Sequence, residues 1–506
     1  MLMRNRKYYY KVGVILKKII IIGAGVAGLS AGIYALKNGF GCEIYEQNTY
    51  SGGECTAWYR KGYTIDGAIS WLTGIKKNTK IFDTWKEVGA FQTRDIVKSD
   101  IFAVIHGETD LVWYRDLDKL KKELLRVSPI DGEEIERLIK MLGILQHFEM
   151  PAGKPIDMMD YNEKKAFMNV MMRVFGTLGD ICAKTTEEYC TCFKSNLIKR
   201  ALLSFAFKDN LCQGVLITLA SLAGGHIGWI KGGSKQLTDN MRKTFIGLGG
   251  KLFCKSRVQE IVIIDGTAQG IILANGRKLS ADYVIPACDL YITMKKLLKA
   301  QYRDSVLDDF YTQKGYHTSS ICQVTFGVNC DLSKYENKNI FLFEQEEIAG
   351  ETIDSCCFTH YCDEKGFAPK GKSVVKTGLT VYDYRNWEDL SSEAYQRKKE
   401  EIREAYQRML YKFFPETRNK IEMVDITTPL TYERFCGAYQ GAYMAFMLTK
   451  ETNKVSHSGV IKGISNMNLA GQWLSALGGL PDAVISGKNA VMRICAQEHL
   501  QFQGVQ

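Results

Sequence analysis

The chain has 506 residues, of which 46% are apolar, eight are proline and fifteen are cysteine, and its formal charge is +10. That length exceeds what one compact core accommodates, so two or three lobes are expected, and the composition is that of an ordered globular protein. The positive charge is interspersed with 56 acidic residues; without a clustered basic face and aromatic readers it excludes a nucleic-acid binder. The absence of about 18 consecutive apolar residues argues against a spanning helix.

Residues 1 to 16, with Tyr8-Tyr-Tyr10, precede any element and read as an N-terminal extension, translation starting near Leu16. Basic residues ahead of an apolar stretch are not taken as a signal peptide, because cleavage would remove the strand that follows. Ile19 to Ile22 form a short apolar run suited to a parallel strand covered on both faces. The turn Gly23-Ala-Gly25-Val26-Ala27-Gly28 opens a helix from Leu29 to Lys37, which Asn38-Gly39 stops. Gly23 permits the tight turn, Gly25 a close backbone approach to pyrophosphate, and Gly28 close helix–strand packing. The helix start offers free N–H groups and a positive dipole end to phosphate. Cys42 to Tyr45 is a second strand, and Glu46, 21 residues after Gly25, stands where a carboxylate accepts from ribose hydroxyls. That carboxylate would repel a 2′-phosphate, disfavouring NADP. The loop alone does not separate FAD from NAD.

Gly52-Gly53 follows closely and can add backbone N–H groups near a cofactor. Helical spacing marks 118–127, 131–148 and 163–178; the stripe Met168, Met171, Met172 and Phe175 is expected in the core. Thr238 to Leu248 reads as a helix ended by Gly249-Gly250, and Lys251 to Cys254 as a strand. Because that helix precedes its strand, Gly247 to Gly250 is not a second dinucleotide loop. A meander follows over Val258 to Ile264, Ala268 to Ala274 and Lys278 onward, with turns at Asp265-Gly266 and Asn275-Gly276. Strands over 318–328, 339–344, 353–361 and 373–382 suggest a second sheet, and Glu393 to Phe413 a long amphipathic helix. Near the C-terminus, Asn468-Leu-Ala-Gly471-Gln-Trp473 leads to Gly478-Gly479-Leu480-Pro481, a second strand-to-helix turn.

The cysteines show no Cys-x-x-Cys pair; Cys356-Cys357-x-x-His360-x-Cys362 lacks zinc spacing and reads as a strand in which cysteine is a small hydrophobe. No metal is assigned. Reduced thiols make the cytoplasm the default compartment, and the net charge leaves room for peripheral contact with the inner face of a membrane.

The first glycine loop, Gly52-Gly53, the stretch Gly62-Tyr63 to Trp71, Gly232-Gly233 to Leu237, Gly471-Gln-Trp473 and Gly478 to Pro481 together resemble the phytoene desaturase, carotenoid isomerase and retinol saturase flavoproteins, within the larger group containing amine oxidases. The resemblance implies an α/β fold with a Rossmann-type, glutathione reductase-like FAD-binding domain and an inserted α+β substrate domain that includes a helical subregion. The FAD domain is expected from 17–90, 225–300 and 455–498, and the substrate domain from 91–224 and 301–454, with 115–222 mostly helical. It also implies residue roles: Gly23, Gly25, Gly28 and Glu46 at the adenosine diphosphate half, with Val26 and Ala27 in the same turn; Gly52 and Gly53 beside pyrophosphate and ribityl chain; the Val258 backbone at adenine; Gly471, Gly479, Leu480 and Pro481 along ribityl chain and flavin ring. Two positions depart from the pattern. Glu54 stands where relatives carry a basic residue, which puts a phosphate contact in doubt, and Asp482 stands where a small residue is common and is read as a helix cap.

The activity implied is hydride exchange between flavin N5 and a C–H bond of an apolar, polyene or lipid-like substrate, giving desaturation, saturation or isomerisation. The electron donor or acceptor is open. A flavin amine oxidase and a prenyl-binding chaperone of the same fold are the alternatives. No side chain stands out as catalytic: Tyr432, Arg434, Tyr439 and Tyr443 are placed near the site by resemblance only, and His226 and His317 are read as structural.

Overall fold

The isoleucine run forms β1 (Lys18–Ile22), followed by α1 (Val26–Lys37) and β2 (Gly41–Tyr45). Ile19, Ile20 and Ile21 are fully buried, as a strand covered on both faces requires. The computed structural model describes residues 17–206, 209–307, 317–452 and 456–504; the expected N-terminal extension, residues 1–16, therefore lies outside the described residues.

A hairpin, β3 (Ile101–His106) and β4 (Asp110–Tyr114), leads into α2 (Leu117–Val127), α3 (Gly132–Leu145) and α4 (Tyr161–Leu178). The helices match the sequence reading, but the methionine stripe of α4 is a correction. Only Val174 and Leu178 are buried on this helix, whereas Met168, Met172 and Phe175 are 53%, 59% and 48% exposed. The reason lies in two apolar stripes at helical spacing. Phe167, Met171, Val174 and Leu178 turn inward, and Met168, Met172 and Phe175 turn outward.

Next, α5 (Gly233–Gly247) begins at Gly233 rather than at Thr238. Its first turn is capped from far away: Asp66 accepts from the Ser234 N–H at 2.7 Å and the Ser234 hydroxyl at 2.6 Å. Then come β5 (Lys251–Phe253), the meander β6 (Val258–Ile264), β7 (Thr267–Leu273) and β8 (Lys278–Ser280), and β9 (Tyr283–Pro286). The order β5-β2-β1-β9, parallel throughout, is the central sheet. Helices α1 and α5 pack on the face bearing Ile19 and Ile21, and the meander β6–β8 packs on the face bearing Ile20 and Ile22, which completes a Rossmann-type layer.

The second sheet is built from β10 (Thr318–Val328), β11 (Lys338–Ile348), β12 (Glu351–His360) and β13 (Ser373–Val381), beneath α6 (Ser392–Phe413). Next along the chain are β14 (Ile421–Ile426), α7 (Pro429–Cys436), β15 (Ala442–Phe446) and α8 (Leu480–Gln497). The sheet order is β14-β10-β13-β12-β11-β3-β4, with β15 also on β10. Alternation divides its two faces. Cys322, Val324, Phe358, Val375 and Leu379 pack into a core with Ile402, Tyr406 and Met409 of α6; the opposite face looks toward the Rossmann layer.

The C-terminal return is short of a formal strand but behaves as one. Met467 bridges Val284 in parallel, and Ala470 donates to the Pro286 carbonyl at 2.9 Å, so Gly471 arrives beside the end of β9. Then α8 docks on α1: the Ser30 hydroxyl donates to the Val484 carbonyl at 2.7 Å. No helix among the described residues is long and apolar enough to cross a membrane.

The α1–α8 contact sets a stability test. A Cβ at Gly487 would meet the Ala27 carbonyl oxygen at 2.4 Å and the Ala31 nitrogen at 2.8 Å, both backbone atoms. Gly487→Ala should therefore cost about 1–3 kcal/mol, as overpacking does. Gly176→Ala, with open space around its Cβ, should gain up to about 1 kcal/mol of helix propensity. Chemical denaturation of the two variants beside the parent reads both signs; a neutral Gly487→Ala would remove the packing argument.

Candidate functional site

One cavity of about 1990 Å³ takes lining residues from both ends of the chain. Gly23, Gly25, Val26, Ala27 and Glu46 line it beside Gly52 and Gly53, Val258, and Gly471, Gly479, Leu480 and Pro481. Gly28 does not. A Cβ there would lie 2.0 Å from the Gly23 carbonyl oxygen, so this glycine packs the helix on its own turn rather than facing a ligand. The volume is about twice the upper end of ordinary ligand pockets, room for a cofactor and a second molecule together.

The first turn is held by its own backbone. Gly23 donates to the Tyr45 carbonyl at 2.8 Å and Gly52 to the Ala24 carbonyl at 2.8 Å, which lays the Gly52-Gly53 loop against Gly25. Glu46 is buried, and its two carboxylate oxygens accept from the Ala24 and Asn48 N–H groups, each at 2.8 Å. A carboxylate has about four acceptor sites, so the same group can still take ribose hydroxyls. No side chain caps Gly25, and the first turn of α1 carries no acid. Its dipole end and free N–H groups therefore face the cavity.

Gly25 tests whether a dinucleotide fits. Its φ of −73° is open to any residue, and a Cβ there would meet no atom closer than 4.0 Å. Protein packing does not demand glycine at this position; a diphosphate lying over the backbone does. At the other end, Gly479 is the N-cap of α8 with φ +96° and Pro481 in its first turn. Open space above Gly471 and Gly479, with nearest atoms at 3.8 and 3.7 Å, extends the same cradle. Residues and cavity fit the group.

Asp482 corrects the sequence reading. It is not the cap of α8, since Gly479 holds that place and no side chain caps it. Instead its carboxylate accepts from the Ser475 hydroxyl at 2.8 Å, and burial pushes its pKa up to about 7. Two more cavity carboxyls behave likewise. Burial, with Asp289 nearby, pushes Glu54 up to about 8, and burial pushes Asp289 up to about 6. Asp289 is held by N–H groups of Tyr439 at 2.9 Å and Ile292 at 3.2 Å. Gln472 bridges the Glu54 carboxyl at 3.4 Å and the Gly479 N–H at 3.0 Å. Asp289 and Gln472 were not singled out as site residues from sequence; only their position after a strand end hinted at them.

Tyr432, Arg434, Tyr439 and Tyr443 all line the cavity, and burial pushes Tyr443 up to about 12. His226 lines it too, with Lys76 Nζ at 3.4 Å, and burial beside that ammonium holds it down to about 4. His317 is exposed. The Cys356–Cys362 cluster is divided by strand alternation: Cys356 packs in the core under α6, Cys357 faces the cavity, and the His360 ring bonds the Tyr335 carbonyl at 3.0 Å. Among the described residues no three His, Cys, Asp or Glu gather as metal ligands.

A Rossmann layer whose glycine turn shares a cavity with a second helix start, beside a mixed sheet, defines a dinucleotide-binding flavoprotein of the two-lobed oxidoreductase kind. Comparison with known proteins gives the family: residues 26–495 match the flavin-containing amine oxidoreductase family, and the chain belongs to it. It is an FAD-dependent oxidoreductase. It is 21% identical to a 4,4′-diapophytoene desaturase (4,4′-diapolycopene-forming) of Methylomonas sp, over 97% of each chain. With a chloroplastic prolycopene isomerase of Daucus carota it shares 22% identity, over 84% of this chain and 71% of that protein. Among solved structures, a triple mutant of putrescine oxidase superposes with a TM-score of 0.64 at 13% identity, covering 95% of this chain and 99% of the other; that likeness shows the fold alone.

The raised carboxyls predict a pH dependence. An unfolded glutamate titrates near about 4.3, whereas folded Glu54 holds its proton to about 8. Between these values the folded state binds the extra proton, so stability falls as pH rises and levels off above the folded value. Glu54→Gln should flatten part of that decline in the melting temperature; an unchanged slope would show that Glu54 ionises freely.

Proposed function

We propose that FAD lies along Gly23, Gly25, Val26, Ala27, Glu46, Gly52, Gly53, Val258, Gly471, Gly479, Leu480 and Pro481, and that the enzyme acts on the C–H or C=C bonds of a long apolar, unsaturated substrate. The observation carrying this reading is the single cavity shared by Gly25 and Gly479, continuous with the sheet wall at Ile321, Gln323 and Thr380. Bound flavin supplies hydride exchange at N5. The chain's part is to orient and to exclude water. Two uncapped helix starts face the diphosphate and ring ends, Gln472 ties the Glu54 carboxyl to the Gly479 turn, and the tyrosines of α7 and β15 border the substrate space. The names of relatives, a desaturase and an isomerase of polyenes, favour a polyene or isoprenoid chain. On the same reading, 17–90, 225–300 and 455–498 form the FAD domain and 91–224 and 301–454 the substrate domain.

The amine oxidase reading is disfavoured by charge. Lys376 lines the cavity, and a protonated amine would meet that like charge. All fifteen cysteines carry free thiols, in keeping with a reducing compartment, and we place the protein at the cytoplasmic face of a membrane. What supports the contact is α4. Its outward stripe of Met168, Met172 and Phe175 is flanked by exposed Lys164, Lys165 and Arg173, and Met171 on its inner stripe lines the cavity. An apolar face rimmed by cations suits an anionic lipid surface.

Two measurements test these assignments. Gly25→Val should leave the melting temperature of flavin-free protein close to the parent's and abolish the flavin absorbance of the purified protein; a yellow variant would displace the diphosphate from this turn. Co-sedimentation with phosphatidylglycerol-containing vesicles should fall several-fold when Met168, Met172 and Phe175 are all changed to Gln, with flavin content retained. Equal sedimentation of both proteins would place the membrane contact elsewhere.

A further inference from the structure

We infer that the substrate's apolar chain ends in a carboxylate, held on the sheet wall between Lys338, Thr359 and Lys376; this rests on the oxidoreductase reading above and names its substrate class. The strand register carries the argument. Lys338 of β11 stands opposite Thr359 of β12, and Thr359 stands opposite Lys376 of β13. Residues directly opposite in antiparallel pairs share a face, so the two ammonium groups and the hydroxyl between them form one row. With strands about 4.8 Å apart, the two lysine Cα atoms are about 10 Å apart, a gap an anion can span from the ends of two long side chains. Thr359, Lys376 and neighbouring Cys357 line the cavity.

Neither lysine has a carboxylate partner within salt-bridge distance among the described residues. The Lys376 ammonium reaches only the Asp66 backbone carbonyl, at 3.5 Å. Lys338 lies over the Trp71 and Phe102 rings, 4.6 and 4.5 Å from their centroids. The nearest acid, Asp66, is engaged by Ser234 through both its oxygens. Arg115 adds a third charge: it donates to the Ile227 carbonyl at 2.7 Å, while its Nε has no partner. Burial, opposed by Cys357 and reinforced by Lys376 and Arg115, pulls Lys338 down to about 8; burial alone lowers Lys376, and Asp66 and Cys357 work against that shift.

A purely structural role explains Lys338 through its two rings, but not Lys376. The alternative substrates differ in what they do to this row. A hydrocarbon filling the cavity would strip water from the Lys376 ammonium, which lines it, and return nothing, which is costly for unpaired buried charge. A carboxylate accepts from both lysines and from the threonine hydroxyl, in charge-assisted bonds. The geometry also sets length. From Lys376, β13 runs through Gly378 to Thr380, both lining the cavity; four residues span about 13 Å. Thr380 pairs with Ile321, next to Ser320, whose hydroxyl donates to the Gln440 carbonyl at 2.6 Å, beside Tyr439 and Tyr443. The reacting bond therefore lies well along the chain from the acid.

Titration of the purified holoenzyme with all-trans-retinoic acid, oleic acid and their methyl esters tests this, read by flavin absorbance and by quenching of tryptophan fluorescence, which reports with or without flavin. At least one acid should bind about 30-fold or more tightly than its ester, the low end of what one partner of a buried charge pair contributes. Lys376→Met should erase that preference and leave ester affinity unchanged; where that variant loses its fold, Lys338→Gln should reduce the preference instead. Equal affinity for acid and ester, equal weakening of both by the substitution, or no binding of either acid overturns the inference. A protein that takes up no added FAD yet still prefers the acid would overturn the FAD placement proposed above and leave the carboxylate site standing.

Discussion

The close approach of α1 and α8 is the constraint on which the site depends. These helices come from opposite ends of the chain, yet Gly487 lets α8 lie against the Ala27 carbonyl, and Ser30 bonds the backbone of α8. That contact fixes two helix starts, at Gly25 and Gly479, on one cavity. Each start presents about half a positive charge and unpaired N–H groups. A bulky residue at either contact would separate the turns, and neither turn alone encloses a dinucleotide. On the proposed placement, the family's cofactor is held by a tertiary contact as much as by a sequence motif.

That positive backbone environment sits beside carboxyls that burial makes harder to ionise. Glu54, Asp289 and Asp482 are raised to about 8, 6 and 7. A protonated carboxyl can donate as well as accept, so Glu54, raised to about 8, can border a diphosphate or a flavin ring near neutral pH without repelling it. An acid at position 54 is thus compatible with a nearby phosphate. The local chemistry is not charge pairing but hydrogen bonding through Gln472.

What was legible in the sequence was set by local rules. The isoleucine strand, the glycine turn, the meander at Val258 and the strand at Thr318–Val328 follow from patterning and turn residues over short windows, and their lengths agree with the structure. What was not legible depends on partners remote in sequence. The start of α5 waits on Asp66, capping from 168 residues away. The two apolar stripes of α4 are equivalent by periodicity, and only packing decides which turns inward. Asp482 looks like a cap because acids favour helix starts, yet the positive φ at Gly479 already sets the turn, which frees the carboxylate for Ser475. The Lys338–Thr359–Lys376 row is invisible to any pattern within one strand, since it exists only in the register of three.

Taken together, the ends of the cavity impose a direction on whatever enters it. Backbone dipoles and carboxyls of raised pKa lie at the Gly25–Gly479 end, and the Lys376 ammonium lies along the wall. A molecule apolar along its whole length has no preferred orientation between them, whereas one with a polar terminus has only one that satisfies both. The helix α4 adds to this asymmetry, because its inward stripe reaches the cavity at Met171 while its outward stripe faces away. On the proposed reading, selectivity then comes from the terminus and reactivity from the bond placed beside the tyrosines of α7 and β15, two requirements met by different elements around one cavity.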